Sequence, residues 1–270
     1  MNDRETTDPL LSSTQAARLL GVHAASIKRW SDQGKLKCIR TPGGHRRFFK
    51  SELQALSGQS KTVDFCQNLL KALISGNQLN SEAILLDHWG QMGRWEVVGD
   101  DVGIMLEEIG TAWLAGRLKI SEEHIASETL MRSLSRIKTM IPNRPTAPLC
   151  ALATVPGDEH TLALSICELV LAEHDWQPLW LGRFSPIEVL IEIVKRPEVN
   201  MLALSASAFS CTPASLGALL REIGPIALAA DTEIILGGSG AWPKDVYATH
   251  RVKSYTEFGK LLRQLPANGE

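Results

Sequence analysis

The spacing of apolar residues changes along the chain and predicts three regions. Two short amphipathic stretches, at 13–20 and 23–32, predict a pair of helices near the N-terminus. From 62 to about 141, four longer stretches at helical spacing predict a four-helix bundle. From Pro148 onward, apolar runs alternate with helical stretches, which is typical of a doubly wound parallel sheet. We therefore expect a multidomain protein with domains at 12–57, 62–145 and 147–266.

Turn residues between the periodic stretches define the expected elements. The bundle helices are predicted at 62–75, 81–93, 95–118 and 121–140, after a polar linker at 57–61. The strands of the sheet are predicted at 149–155, 176–182, 200–206, 232–238 and 251–254. The helices of the sheet region are predicted near 160–173, 186–195, 214–229, 243–249 and 255–265.

Composition and charge narrow the class of protein. The 270 residues are 44% hydrophobic and 21% charged, which is typical of a soluble globular protein. The sequence has no apolar run long enough for a membrane span and no signal peptide, so we expect a cytoplasmic protein with no membrane partner. The five cysteines include no CxxC pair, which argues against a disulfide framework or a structural zinc site.

The net charge of −2 is distributed unevenly. Residues 12–56 contain nine Lys or Arg and two acids, so this segment carries +7 and the remainder of the chain carries −9. A compact basic segment beside an acidic body is the pattern expected when one module binds nucleic acid.

The basic segment contains a helix pair and a predicted hairpin. A turn at Gly21-Val22 would join the two helices into a helix-turn-helix, and KLKCIRTPGGHRRFF (35–49) predicts a hairpin with its tip at Pro42-Gly43-Gly44. With this basic wing, residues 13–56 resemble the α+β winged-helix DNA-binding domain of the MerR family. The candidate DNA-binding residues are Thr14, His23, Ser26, Lys28, Arg29, Arg40, His45, Arg46 and Arg47. The resemblance implies paired modules, hence a homodimer or homotetramer, on double-stranded operator DNA.

Polar and glycine-rich motifs follow three predicted strands. They are Gly157-Asp158-Glu159-His160 after the first, Ser205-Ala206-Ser207 after the third and Gly237-Gly238-Ser239-Gly240 at the fourth. A histidine two residues after an aspartate suits a metal ligand whose second ring nitrogen is oriented by a carboxylate. The GxGxxG fingerprint of dinucleotide-binding proteins does not follow the first strand.

These motifs are similar to those of the α/β (Rossmann-like, flavodoxin-like) cobalamin-binding domain of methionine synthase, corrinoid carriers and CarH-type light-dependent repressors. The bundle motif W-x9-EH, formed by Trp113, Glu123 and His124, resembles the CarH-type helical cap. The resemblance implies that His160 is the lower axial ligand of cobalt and Asp158 its orienter. It implies that Ser205, Ser207, Gly237 and Gly238 hold the nucleotide tail, with adenosylcobalamin as cofactor and a non-enzymatic, light- or ligand-sensing repressor as function.

Two positions depart from the family pattern. Ala163 occupies the glycine position of D-x-H-x-x-G, and Leu114 follows Trp113 where a cobalt-capturing histidine can occur; His124 or His88 is a possible substitute. A leucine cannot ligate a metal, so three alternatives stay open. The chain could bind heme or a bilin, it could act without a cofactor through protein contacts, or it could be a corrinoid carrier subunit of a methyltransferase.

Overall fold

The computed structural model describes residues 9–20, 22–41, 43–142, 144–244 and 249–265. The chain forms two compact units, 1–67 and 68–270, which divide within a long helix. Gly21 and Pro42, which the sequence predicts to lie in turns, and residue 266 at the end of the predicted third domain fall outside the described residues.

The first unit combines three short strands with helices. Its elements are β1 (Leu10–Ser12), α1 (Ser13–Leu20), α2 (Ala24–Asp32), β2 (Ile39–Arg40), β3 (Arg46–Phe49) and α3 (Lys50–Ile74), which continues into the second unit. The strands form an antiparallel sheet in the order β1-β3-β2, with Leu11 opposite Phe48 and Ile39 opposite Arg47. Phe48 is fully buried with Ile27 of α2, so the hairpin strand and the helix pair share one core.

Two features of this unit differ from the prediction. Strand β1 was not expected, because a three-residue strand has too short a pattern for periodicity to detect. The segment 57–61 lies inside α3 and is helical, although its polar composition predicted a linker. Polar composition did not predict this helix correctly because the turns of α3 before and after 57–61 are apolar and include buried Leu53 and Leu69. The helix therefore continues through the polar stretch.

The second unit begins with the end of α3 and three further helices, α4 (Gln78–Met92), α5 (Trp95–Leu114) and α6 (Ile120–Met140). Helices α4, α5 and α6 pack against one another. Asn77 caps α4 by accepting a hydrogen bond from the Asn80 N–H, which is why α4 starts before the predicted residue 81. Helix α5 ends at Leu114 rather than 118, and Gly116 follows with φ +67.

Five parallel strands form the sheet of the second unit. They are β4 (Leu149–Thr154), β5 (Gln177–Gly182), β6 (Val199–Ser205), β7 (Glu233–Gly237) and β8 (Thr249–Arg251), in the order β5-β4-β6-β7-β8. The helices between and after them are α7 (Leu162–Glu173), α8 (Ile187–Val194), α9 (Pro213–Ala229) and α10 (Tyr255–Leu262). The order is that of the flavodoxin-like doubly wound sheet, whose ligands bind where β4 and β6 diverge at their carboxyl ends.

The last strand and the helix before it differ from the prediction. The predicted helix 243–249 falls largely on 245–248, which lie outside the described residues, and Thr249 belongs to β8. The predicted strand 251–254 is displaced toward the N-terminus, because Ser254 instead caps α10 by accepting from the Glu257 N–H. In the part of the chain that the structure describes, none of the helices combines the length and apolar character of a membrane span.

A buried carboxylate joins the helical layer to the sheet region. Glu96, near the start of α5, is 1% exposed and accepts hydrogen bonds from His174 Nε2 (2.8 Å) and Arg263 Nη1 (3.0 Å). Burial raises the pKa of the Glu96 carboxyl, but the hydrogen bonds from Arg263 and His174 outweigh burial and the net pKa is lowered. The charged carboxylate therefore holds α5 against the ends of α7 and α10.

Candidate functional site

Asp158 and His160 form a pair just beyond the carboxyl end of β4. The Asp158 side chain is fully buried, and its Oδ1 accepts hydrogen bonds from His160 Nδ1 (2.6 Å) and His160 N (3.1 Å). The His160 side chain is 61% exposed, and its Nε2 has no hydrogen-bond partner among the described residues. The structure thus brings together the two residues predicted as ligand and orienter, and leaves the outer ring nitrogen available to a ligand.

Backbone and hydroxyl groups hold the Asp158 carboxylate in place. Asp158 Oδ2 accepts from the Ser207 N–H (2.6 Å), which ties the loop after β4 to the loop after β6. The buried Thr154 hydroxyl donates to the Asp158 carbonyl (2.6 Å) and accepts from the Phe184 N–H (3.1 Å). Burial raises the pKa of Asp158, but the hydrogen bonds from His160 and Ser207 outweigh burial and lower the net pKa, so this carboxyl is ionised at neutral pH.

A cavity of about 150 Å³ lies between α7, α10 and the ends of β6 and β7, and neither Asp158 nor His160 is among its lining residues. Three of the predicted tail-binding residues, Ser205, Gly237 and Gly238, line the cavity together with Ala163. Ser205 is 6% exposed, and its hydroxyl makes no hydrogen bond to another described residue, so it is free to bind a ligand. Ser207 is not among the lining residues, and its hydroxyl bonds Ser210 instead.

The glycine at the end of β7 permits close backbone packing. Gly238 has φ +78, and a side chain at this position would collide with the carbonyl oxygen of Ala206. Arg251 Nη2 donates to the Gly238 carbonyl (2.6 Å), and Trp242 Nε1 donates to the Gly237 carbonyl (2.8 Å). These bonds tie the Gly-Gly turn to β8 and to the segment after β7, and the Gly240 N–H donates to the carbonyl of Ala206, just after β6 (2.8 Å).

The bundle residues predicted to cap the cofactor are exposed. Trp113 is 44% exposed near the end of α5, and the His124 side chain is 75% exposed in the first turn of α6. Glu123 contacts His124 Nδ1 (3.0 Å) and accepts from the Ser127 hydroxyl (2.7 Å).

One contact relates helix α6 to the His160 loop. The Thr161 hydroxyl lies 3.9 Å from Met131 Sδ, so the residue after His160 touches the middle of α6. His124 and Met131 are seven residues apart on α6, which places them on one helix face and about 10 Å apart along the axis.

The first unit presents a basic surface. Thr14, His23, Lys28, Arg29, Arg40 and His45 are exposed, and Ser26 is half-buried. The wing turn is closed by hydrogen bonds from the Gly44 N–H to the Thr41 carbonyl (2.8 Å) and from the Thr41 N–H to the His45 carbonyl (2.9 Å). The candidate residues of α2 and the wing are therefore available to a polyanion.

Arg46 and Arg47 have partners within the unit. Arg46 forms an ion pair with Asp32, donates to the Lys28 carbonyl (3.2 Å), and has a side chain only 16% exposed. Arg47 Nη1 donates to the Arg46 carbonyl (3.3 Å). Arg46 thus fastens the wing to the end of α2, a structural contact that sequence analysis did not foresee.

The sequence pattern did not single out several residues around the Asp158–His160 pair and the cavity. Thr154, Phe184, Tyr255 and Asp100 contact the Asp158 loop or the cavity wall through hydrogen bonds, and Phe209 is 80% exposed after β6. Phe184 and Phe209 could have been found because each follows a predicted strand end. The contact between Asp100 and Tyr255 joins residues 155 positions apart, and no local pattern signals it.

Comparisons with known proteins match the N-terminal segment and the larger remaining region to different kinds of protein. Residues 10–56 match a family described as "Helix-turn-helix domain". The chain is 43% identical over 49 residues, 18% of each protein, to the transcriptional repressor DcmR of Methylorubrum extorquens. It is 23% identical over 185 residues, 64% of this chain and 85% of the relative, to dimethylamine corrinoid protein 1 of Methanosarcina acetivorans.

A solved structure shares the fold of the larger unit. The monomethylamine corrinoid protein of Methanosarcina barkeri superposes with a TM-score of 0.57 at 14% identity, covering 73% of this chain and 96% of that one. The chain therefore combines an N-terminal helix-turn-helix domain with a helical and parallel-sheet region that has the fold of a corrinoid protein.

Proposed function

We propose that this protein is a cobalamin-dependent transcriptional regulator, a repressor with a MerR-type winged helix, a four-helix cap and a cobalamin-binding sheet domain. The observation that carries the proposal is His160, an exposed imidazole oriented by a buried carboxylate at the switch point of the sheet, in a chain that also has a basic helix-turn-helix domain. The likeness to a repressor at one end and to corrinoid proteins along the rest supports the same combination.

The residues present fit a corrinoid. His160 Nε2 would be the nitrogen that ligates cobalt, and Asp158 fixes the tautomer because Nδ1 is hydrogen-bonded to its carboxylate. The cavity with the free Ser205 hydroxyl would take the nucleotide tail along Gly237 and Gly238. When bound, adenosylcobalamin would supply a cobalt centre with a light-labile upper ligand.

The exposed residues of the first unit would bind operator DNA. Lys28 and Arg29 of α2, with His23 and Ser26, would reach base edges, while Arg40 and His45 of the wing would contact phosphate. A single module of charge +7 would bind weakly, so we propose a homodimer or homotetramer that presents paired modules.

The signal would act through the cap. Trp113, Glu123 and His124 would hold the cofactor from the helical side, so a change in the bound cofactor would change what these residues contact. A change of assembly follows only if the bound cofactor stabilises one assembly more than another. We propose that this difference governs release of DNA.

The test compares His160→Ala with His250→Ala, a matched loss of a surface histidine whose side chain is 41% exposed and pairs with Glu233. Each protein is incubated in the dark with adenosylcobalamin, passed through size-exclusion chromatography before and after green light, and measured for absorption and elution volume. We expect the wild type and His250→Ala to retain cobalamin and change assembly on illumination, and His160→Ala to lose the cofactor. Equal retention by both variants would contradict the assignment of His160.

The same samples separate the alternatives. If none retains cobalamin, incubation with heme or a bilin tests those cofactors, and DNA binding that is indifferent to every tetrapyrrole indicates a domain acting through protein contacts. Because corrinoid proteins match most of this chain, a corrinoid carrier is the second candidate function. A carrier would retain cobalamin but would not bind double-stranded DNA selectively in competition with random-sequence DNA.

A further inference from the structure

One side of the cavity beside Ser205 is formed by the start of α10 and the two residues before it. Lys253, Ser254 and Tyr255 line the cavity, and the Tyr255 hydroxyl donates to the Ala163 carbonyl (3.3 Å) at the start of α7. Tyr255 therefore bridges the two helices that flank the cavity. This bridge is part of the cavity wall.

The first turn of α10 is held by a carboxylate from the helical layer. Asp100 of α5 accepts hydrogen bonds from the Tyr255 N–H through Oδ1 (2.6 Å) and from the Thr256 N–H through Oδ2 (3.3 Å). Within α10, only the Glu257 N–H has a local cap, the Ser254 hydroxyl (3.0 Å). The first N–H groups of a helix have no hydrogen-bond acceptor inside the helix. Asp100 supplies an acceptor for two of these N–H groups and places a negative charge at the N-terminus of α10, where the helix dipole favours it.

The neighbouring residue of α5 is packed tightly against the same bridge. A Cβ atom added at Gly99 would lie 2.9 Å from the Tyr255 ring and 2.7 Å from Ile166 Cγ2 of α7. Real Cβ atoms do not approach other atoms so closely, so a side chain at 99 would displace Tyr255, Ile166 or α5 itself. Two adjacent residues of α5 thus set the position of Tyr255, one by hydrogen bonds and one by close packing.

We propose that Asp100 is a positioning residue for the nucleotide tail of the cofactor. By holding the first turn of α10 from α5, it keeps the wall of the cavity formed before the tail enters. This inference rests on the proposed function, because it assumes that the cavity takes the tail of a corrinoid bound at His160.

The effect on affinity follows from the population of the formed wall. Without Asp100, two N–H groups at the start of α10 lose their partners, and arrangements in which Tyr255 leaves the wall become populated in the free protein. The apparent affinity for cobalamin is then the intrinsic affinity multiplied by the fraction of free molecules whose wall is formed. Losing one charge-assisted hydrogen bond changes the equilibrium constant between the formed and the open wall by about tenfold.

The experiment uses two corrinoids that differ in the tail. Cobalamin has the nucleotide tail, whereas cobinamide lacks it and can use only His160 and the corrin-contacting residues. The full-length wild type, Asp100→Asn, Gly99→Ala and the control Asp64→Asn, which alters an exposed carboxylate of α3, are titrated with each corrinoid. Absorption reports binding, and amide hydrogen exchange of 255–262 in the free proteins reports the order of α10.

We expect Asp100→Asn and Gly99→Ala to bind cobalamin more weakly than the wild type, by up to about tenfold, and to bind cobinamide within about twofold of it. Asp100→Asn should also exchange amide hydrogens faster in the first turn of α10, and Asp64→Asn should match the wild type throughout. Retained cobinamide binding shows that the variants are folded.

Two results would overturn the inference. One is equal weakening of both corrinoids, which would mean that Asp100 acts on the whole site rather than on the tail. The other is unchanged cobalamin affinity despite faster exchange in α10. If instead the wild type binds neither corrinoid, the proposed function itself fails, and this outcome is distinct from both.

Discussion

Replacing Asp158 by asparagine tests whether the buried carboxylate organises the site. In the wild type, Oδ1 accepts from His160 and Oδ2 accepts from the Ser207 N–H, so both oxygens are needed. An asparagine oriented with its oxygen toward His160 turns its NH₂ group toward the Ser207 N–H, and two donors then face each other. Leaving one such buried donor unsatisfied costs about 1 to 3 kcal/mol, so we expect a free energy of unfolding lower by about 2 kcal/mol at pH 7.

The pH dependence provides an internal check. The pKa of Asp158 in the folded protein is below the ordinary value of 3.8, so its contribution to stability is fully present above about pH 4. This contribution is lost as the pH falls through the lowered folded pKa, because the carboxyl is then protonated in both states. The stability difference between the wild type and Asp158→Asn should therefore shrink below pH 4.

Urea unfolding followed by tryptophan fluorescence measures this difference. Six of the seven tryptophans lie within 68–270, so the signal reports mainly the unit that contains Asp158. Glu159→Gln, an exposed neighbour, is the matched control and should be neutral. A second readout is cobalamin affinity, which should fall about 10- to 100-fold in Asp158→Asn, as for other residues that orient a metal ligand. A variant within about 0.5 kcal/mol of the wild type at pH 7, or a gap unchanged at pH 3, would refute the reasoning.

Three further predictions follow from single contacts. Gly259→Ala should lower the thermal stability of the larger unit by about 1 to 3 kcal/mol in calorimetry, because a methyl group there would overlap the buried Glu96 carboxylate; no change would mean that Glu96 can move. Ala163→Gly should tighten cobalamin binding in titrations without changing cobinamide binding, since it removes a methyl group from the cavity wall; weaker cobalamin binding would contradict this. Arg40→Ala should reduce the salt dependence of DNA binding by about one unit of slope, whereas Arg46→Ala should leave the slope unchanged because this guanidinium is already ion-paired. Equal slopes for the two variants would show that Arg46 also contacts phosphate.

Strands β4 to β7 and the helices between them were predictable because each is a separate periodic run, whereas β8 was displaced from its predicted position. Strands β4 to β7 begin and end within one residue of the prediction, and helix α7 begins two residues late. The failures lie where periodicity is too short or is interrupted. Strand β1 has three residues, and the polar stretch 57–61 continues a helix whose apolar turns lie on either side.

The candidate site also contains residues that the sequence predicted and contacts that it did not. Asp158 and His160 are two residues apart, so their spacing already indicates a hydrogen-bonded pair, and the structure places Nδ1 at 2.6 Å from the carboxylate. Ser205, Gly237 and Gly238 were predictable because parallel strands end at one edge of a sheet. The role of Ser207 was not, since its backbone N–H rather than its hydroxyl contacts the site.

By itself, the sequence determined the order of the elements, the basic character of the N-terminal module and the motifs at the strand ends, because these depend on local periodicity, charge and spacing. Only the tertiary structure decided which partners complete them. Arg46 is ion-paired with Asp32, and Asp100 caps a helix that begins 155 residues later. Such contacts depend on how distant segments pack, and residues far apart in the chain have no shared period from which the contact could be predicted.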